Sequence, residues 1–344
     1  MVFMSNIEYS FIKFVNNKLI LWDYLNRNQY EITPDLVFDM YSYVNNTNDY
    51  DINTIKNLKE LNIISDCDGN SWGWDCLSHI FHFGTKNVFN EEVINDVNAW
   101  EQENETIRIE ESDVLMPMYQ KIIDKKRGGK YIPLTSQASG LEIEALLKRR
   151  KTTREFLDQS VDFSSLETVL TLCYQASFEW NNDNGQEPIA KKKTSPSGGG
   201  LHPTQVYLVA LNVKNLDRAV YFYNDIDNEL IYQKEIPDGY QVNQLVGGQP
   251  YAKNAAFLII LTTRFDLSWI KYKHSRCYRV SLLDVGHLSQ STQLVTTELG
   301  LGSWITGQLC DSNIEALLDC DSTIEAPVYL IAIGKSSGNS FPKN

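Results

Sequence analysis

Apolar residues in this chain fall into short runs broken by Asn, Asp and Gly, and the period of those runs changes along its length. Residues 8–24 hold two strand-like runs on either side of Asn16-Asn17, a hairpin signal. Thr33-Pro34-Asp35 then supplies an N-cap with Pro at the first helical position, and Leu36, Met40 and Tyr43 share one face of the helix it opens. A second helix is predicted over 52–61 with Ile55, Leu58 and Leu61 in register, and 62–70 reads as a strand closed by an Asp-Gly turn. Helix, helix, strand and turn make a small winged-helix-like module, placed at residues 1–100. Near its end His79 and His82 stand at i, i+3 among aromatic residues. A metal site would need a third ligand, and none is spaced nearby, so this helix reads as packing.

The pattern then turns polar. An acidic run from Glu101 to Glu111 and a basic one from Lys121 to Lys130 suit a solvated connecting arm, residues 101–135. From 136 to 344 strand and helix patterns return. Residues 141–154 begin as an amphipathic helix, and a helix over 164–174 buries Leu166, Val169, Leu170 and Cys173. A polar, mobile loop is expected over 179–193. Strands follow at 206–211, 219–223, 229–232, 256–262 and 328–333, and a long helix runs over 280–299 into Gly300-Leu301-Gly302. The implied class is α+β, a mixed β-sheet flanked by helices.

Composition narrows the partners. With 344 residues, 42% hydrophobic and 22% charged, the chain has room for two domains and the balance of a protein that buries a core. A net charge of −13 argues against nucleic acid, since phosphate neutralisation needs a basic surface. For the N-terminal module that leaves peptide recognition along a strand edge, or simple bracing. The six cysteines form no CxxC pair and suit reduced thiols, and no signal peptide or membrane-spanning run is evident. The expected setting is cytoplasmic, with no membrane partner.

Three stretches carry candidate chemistry. At 194–203 the chain reads Thr-Ser-Pro-Ser-Gly-Gly-Gly-Leu-His-Pro. Three glycines admit positive φ and close approach of backbone to a flat ligand, and successive N–H groups there can cradle an anion; a flexible hairpin loop explains the run equally well. Arg149, Arg150, Lys151 and Arg154 with Thr152 form a cationic knot in an acidic chain. They suit a bound phosphate, or else a helix C-terminus decorated with cations. Lys271-Tyr272 pairs an amine with a phenol, as an acid/base couple or as a surface pair on a loop.

Taken together these residues resemble the FMN-dependent nitroreductase family. Arg149-Arg150-Lys-Thr-Thr-Arg154-Glu-Phe is similar to its Arg-Arg-Ser-x-Arg-x-Phe pattern. The Pro-Ser-Gly-Gly-Gly-x-His-Pro turn and Lys271-Tyr272 resemble the SagB-type peptide dehydrogenase branch. So does Arg276-x-Tyr278-Arg279-x-x-x-Leu-Asp284-x-Gly286-His287-x-x-Gln290. The likeness covers residues 72–335. It implies that Arg150, Lys151, Thr152 and Arg154 hold the FMN phosphate and ribityl chain, and that Pro196, Ser197 and Gly198 line the flavin. Gln290 would approach the cofactor, while Gly300, Leu301, Gly302 and Lys335 complete the pocket of an FMN-binding domain over 136–344. It also implies a homodimer. The C-terminus after Lys335 lacks the arginine that many nitroreductases place on the phosphate.

In azoline-oxidising members of the branch, a Lys-Tyr pair in the position of Lys271 and Tyr272 takes a proton while hydride leaves for the flavin. The resemblance therefore implies oxidation of azolines to thiazoles or oxazoles in a ribosomal precursor peptide, in company with other maturation enzymes. The alternative is the reverse chemistry, in which a lanthipeptide reductase uses FMN and NAD(P)H on dehydroalanine or dehydrobutyrine. A scaffold that only binds peptide would carry no flavin, and a plain nitroreductase would have no use for the extra module.

Overall fold

The computed structural model describes residues 9–64, 72–87, 117–118, 120–122, 141–179 and 190–338. Strands β1 (Ser10–Val15), β2 (Lys18–Asp23) and β3 (Asn28–Ile32) form an antiparallel meander. Asn16 and Asn17 both take positive φ, 49° and 62°, as a two-residue hairpin turn of the right twist requires. Helix α1 (Pro34–Val44) starts where Thr33 accepts a hydrogen bond from the Leu36 amide at 3.3 Å, and α2 (Ile52–Glu60) starts under Asp51. Leu21, Ile32, Met40, Ile55, Leu58, Ile63 and Ile64 close a core between sheet and helices.

Three details depart from expectation. The third strand, Asn-Gln-Tyr-Glu-Ile, has too little apolar alternation to announce itself and is paired by β2. Residues 61–64 are turns rather than the start of a strand, with Ile63 and Ile64 inserted into the core, and 65–70 lie outside the described residues. Leu61, placed in register with Ile55 and Leu58, caps α2 and is exposed. The connecting arm also lies outside the described residues, apart from 117–118 and 120–122.

Helix α3 (Cys76–Gly84) is followed by α4 (Glu142–Arg149) and α5 (Phe163–Tyr174). A short ribbon pairs β4 (Ser177–Glu179) with β5 (Ala190–Lys192). The main sheet contains β6 (Thr204–Ala210), β7 (Ala219–Asn224), β8 (Glu229–Glu235) and β9 (Phe257–Arg264). It is completed by β10 (Gly302–Thr306) and β11 (Glu325–Gly334), in the order β10-β11-β9-β6-β7-β8. Expected as mixed, it is antiparallel at every one of these pairings. Parallel pairing survives in the isolated bridges Thr152–Ser303 and Val161–Val213.

Helices α6 (Phe265–Lys271) and α7 (Arg276–Glu298) follow β9, and α8 (Asp311–Leu318) precedes β11. One sheet face packs on α5 and α7 through Leu166, Val169, Tyr174, Val285 and Leu288. The other packs on α8 through Ile314, Leu317 and Leu318. Covered on both sides, β9 is buried from Phe257 to Thr263 and reads as an apolar run without alternation. The sheet is thereby a rigid base from which α6 and α7 leave at one end.

Candidate flavin site

The glycine turn is built around a buried carboxylate. Asp284 on α7, 5% exposed, accepts from the Ser197 hydroxyl at 2.5 Å and from the Gly198 amide at 3.0 Å. Ser197 Oγ in turn accepts from the His202 amide at 2.9 Å, while the Gly200 amide donates to the Ser197 carbonyl at 3.0 Å. The amides of Gly198, Gly200 and His202 are therefore spent inside the turn, which corrects the expectation of an external anion cradle. Its anion is the protein's own. Farther along α7, His287 Nδ1 lies 3.3 Å from the Pro196 carbonyl, and the Ser291 and Ser195 hydroxyls are 2.7 Å apart.

Gly198 and Gly199 are required for different reasons. At Gly198 a Cβ would lie 2.2 Å from Val280 Cγ1, so α7 sits directly against the backbone. Gly199 takes φ +65°, and a Cβ there would lie 2.4 Å from Tyr272 Oη and 2.9 Å from Lys271 Nζ. Lys271 Nζ donates to the Gly199 carbonyl at 2.9 Å. The structure thus brings the predicted Lys-Tyr pair onto the predicted turn, from 72 residues away. Lys271 ends α6 and is exposed in the single chain, and Tyr272 is half-buried.

Behind the turn, sequence suggested a mobile loop up to Lys193. Instead, the Lys193 side chain is 1% exposed and pairs with Asp225 at 2.6 Å, which also pairs with Lys191. Burial pulls the Lys193 pKa down, with Asp225 opposing that pull. Burial likewise lowers His202, helped by the positive charge of Lys193. Residues 180–189 of that loop lie outside the described residues.

The cationic knot lies against the ends of β10 and β11. The Thr153 amide donates to the Ser303 carbonyl at 2.9 Å, and the Leu157 amide to the Lys335 carbonyl at 2.9 Å. A Cβ on Gly302 would lie 2.5 Å from Thr153 Oγ1, so this glycine lets the 150s segment lie flat on the strand. Gly300, at φ +69°, terminates α7, and Leu301 is core. Arg150 Nη1 donates to Gln293 Oε1 at 3.2 Å, a neutral partner that leaves its charge available. Lys151 donates to the Gly338 carbonyl at 2.6 Å, and the Arg154 guanidinium stands 5.6 Å from the Tyr251 ring centre. Arg149 is paired with Glu298.

Two predicted residues fall differently. Gln290 is exposed on α7, and it is Gln293, one turn on, that meets Arg150. Lys335 is half-buried, and its charge helps Lys214 hold the Asp162 carboxyl below the usual carboxylate range. Sequence reasoning assigned no role to Asp284 or Gln293, although both are polar residues on the buried side of an amphipathic helix. A larger cavity of about 520 Å³, lined by Asp158, Arg218, Tyr240 and Lys253 among others, shares no residue with this arrangement.

Residues 147–335, more than half the chain, match the model of the nitroreductase family. This chain belongs to that family. It is accordingly an oxidoreductase with a nitroreductase-like α+β fold. This nitroreductase-family protein is 31% identical over 147 residues to the trifolitoxin-processing protein TfxB of Rhizobium leguminosarum bv. trifolii, a match covering 41% of this chain and 39% of that one. It is 24% identical over 192 residues to the microcin B17-processing protein McbC of Escherichia coli, covering 53% of this chain and 68% of McbC. Among solved structures it is similar to a chain of the E. coli microcin synthetase McbBCD complex with truncated pro-MccB17 bound. That similarity has a TM-score of 0.45 and 20% identity, and covers 62% of this chain and 81% of the other.

Proposed function

We propose that this protein is an FMN-dependent oxidoreductase that dehydrogenates azoline rings of a ribosomally made precursor peptide to thiazoles or oxazoles. The observation that carries the reading is the meeting of Lys271 Nζ and Tyr272 Oη at Gly199, in the middle of the turn. The names of TfxB and McbC, processing proteins for trifolitoxin and microcin B17, support a peptide substrate.

The donor set fits flavin mononucleotide. Arg150, Lys151 and Arg154 form a cationic run suited to a phosphate, with Thr152 beside them for the ribityl chain. Above the turn, Gly200 faces open space with nothing within 4 Å of a Cβ position, as a planar ring needs. Pro196, Ser197 and Gly198 would line that ring. Gly300, Leu301 and Gly302 would act by seating the 150s segment, while Gln290 and Lys335 would complete the pocket at its edges. When bound, FMN supplies the acceptor for hydride.

The chain's own part is proton transfer and placement. An azoline becomes an azole by losing one hydride and one proton, and Lys271 takes the proton. Held on the Gly199 carbonyl, its Nζ stands at the rim of the turn, where a peptide laid over the glycines would present that proton. The Tyr272 hydroxyl, at the same glycine, offers a second polar group beside that proton's path. A homodimer is supported by exposed apolar positions on neighbouring helices: Leu283, beside Gly286 and Gln290, on α7, and Ile143 and Leu147 on α4. Residues 1–100 would then guide peptide or brace the catalytic domain over 136–344, with 101–135 joining them. Other maturation enzymes would act alongside. Among the described residues no helix is long and apolar enough to cross a membrane, in keeping with a proposed cytoplasmic setting.

The test is mass spectrometry of a synthetic thiazoline-containing peptide after incubation with the FMN-loaded protein. The reading expects a loss of about two mass units per ring without NAD(P)H. It also expects the Lys271→Ala variant to keep its flavin and lose turnover. Inert thiazoline, together with a gain of about two mass units on a dehydroalanine peptide that depends on NAD(P)H, would replace it with reduction.

A further inference from the structure

We infer that Trp74 and Asp75 are positioning residues for Lys271 and Tyr272, so that the segment before α3 sets the geometry of the reacting end of α6. The inference rests on the reading of that pair given above. It starts from the four-residue link between α6 and α7, Tyr272 to Ser275, which is tied down at both ends by residues about 200 positions earlier. At its start, the Trp74 indole N–H donates to the Tyr272 carbonyl at 2.8 Å, and Trp74 is buried. At its end, the Asp75 carboxylate accepts from the Ser275 amide at 3.3 Å and from the Ser275 hydroxyl. The Ser275 hydroxyl lies 2.8 Å from that of Ser78, which also accepts from the Trp72 indole at 3.0 Å.

The fit beneath is close. A Cβ on Gly73 would lie 2.3 Å from Trp269 Cδ2, so the backbone of the tether rests on the indole of α6 itself. Trp72 and Trp74 pack edge-on against Trp269 at 5.6 and 5.9 Å, and both contact Phe265 at the base of the same helix. Lys271 and Tyr272 are thus fixed from behind by aromatic packing and one partly buried hydrogen bond. From the front, among the described residues, they meet the rim of the glycine turn. A hydrogen bond from a buried donor to a carbonyl fixes the orientation of the peptide plane, and here that plane carries the Tyr272 side chain. Loss of the tether should leave the pair attached to α6 but free to swing off Gly199. Because the two ends of the contact lie in different parts of the chain, folding of the N-terminal part becomes a condition for a placed base.

The experiment is competitive labelling of the full-length protein with acetic anhydride, read by peptide mass spectrometry, with exposed Lys273 as internal reference. Held on the Gly199 carbonyl, Lys271 should react more slowly than Lys273 in the unaltered protein. Trp74→Phe keeps the ring and removes the donor, and it should raise Lys271 labelling about five- to tenfold toward that of Lys273. Ser275→Ala, which removes only a hydroxyl, should raise it in the same direction and serves if Trp74→Phe does not fold. On the thiazoline peptide both variants should lower kcat with KM and flavin content unchanged. Unchanged Lys271 labelling in the folded variants would overturn the inference. Should Lys271→Ala leave turnover intact, the functional reading fails while the labelling result still decides the tether.

Discussion

The two sides of the Lys271-Tyr272 segment are held by opposite kinds of force. In front, the glycine turn is organised by a carboxylate, hydroxyls and amides around Asp284. Behind, Trp72, Trp74, His79, His82, Phe83, Phe265 and Tyr278 form a largely buried aromatic block, with the His82 ring stacked on Trp72 at 5.2 Å. Polar networks fix direction and fail when one atom is changed, whereas aromatic packing fixes distance and fails when a charge is put into it. A reacting pair between them gains its aim from one and its stiffness from the other.

Acid should separate the two most sharply. Burial lowers His79 to about 4 and His82 to about 3, the latter with help from Lys86. Both folded values lie below the unfolded value of about 6.5, so the unfolded chain binds more protons in that window. The stability these neutral rings contribute is present above pH 6.5 and is lost as pH falls toward the folded values. Between pH 6.5 and 5 the loss from His82 alone is about 2 kcal/mol. Melting followed by tryptophan fluorescence should show a steep fall in Tm over that range, and His82→Gln should flatten it. A Tm independent of pH there would mean the rings are not held neutral.

A smaller effect should come from the front. Asp284→Asn keeps an oxygen for the Gly198 amide but puts an N–H donor where the Ser197 hydroxyl now finds its acceptor, at a cost of about 2–3 kcal/mol in a buried site. Melting at pH 7 should report that loss, and it should persist with pH, unlike the loss from the aromatic block. Gly199→Ala should cost about 1–2 kcal/mol for the left-handed backbone and displace both Lys271 and Tyr272. Calorimetry checks the first part, and turnover of the thiazoline peptide, reduced far more than stability, checks the second.

How far sequence reached follows the same division. The glycine run, the arginine knot and the Lys-Tyr pair each carry local chemistry and were legible, and so were α1, α2 and the packing role of His79 and His82. Which residues of α7 turn inward was not legible. Gln290 and Gln293 are identical in type and one turn apart, and only the seat of α7 on the sheet decides that the second meets Arg150. Asp284 stands inside a readable pattern, yet its partners come from a turn 86 residues earlier. The contact of Trp74 with Tyr272 spans 198 residues, and periodicity carries no information at that range. Strand β3 was missed because pairing with β2, rather than its own composition, makes it a strand.

The central claim is a flavin whose phosphate is gripped by Arg150, Lys151 and Arg154. It is tested most directly by fluorescence titration of the purified protein with FMN and with riboflavin, which lacks the phosphate. The account predicts one FMN per chain, riboflavin bound at least tenfold more weakly, and that preference abolished in Arg154→Ala. Equal affinity for the two flavins, or binding of neither, would contradict it.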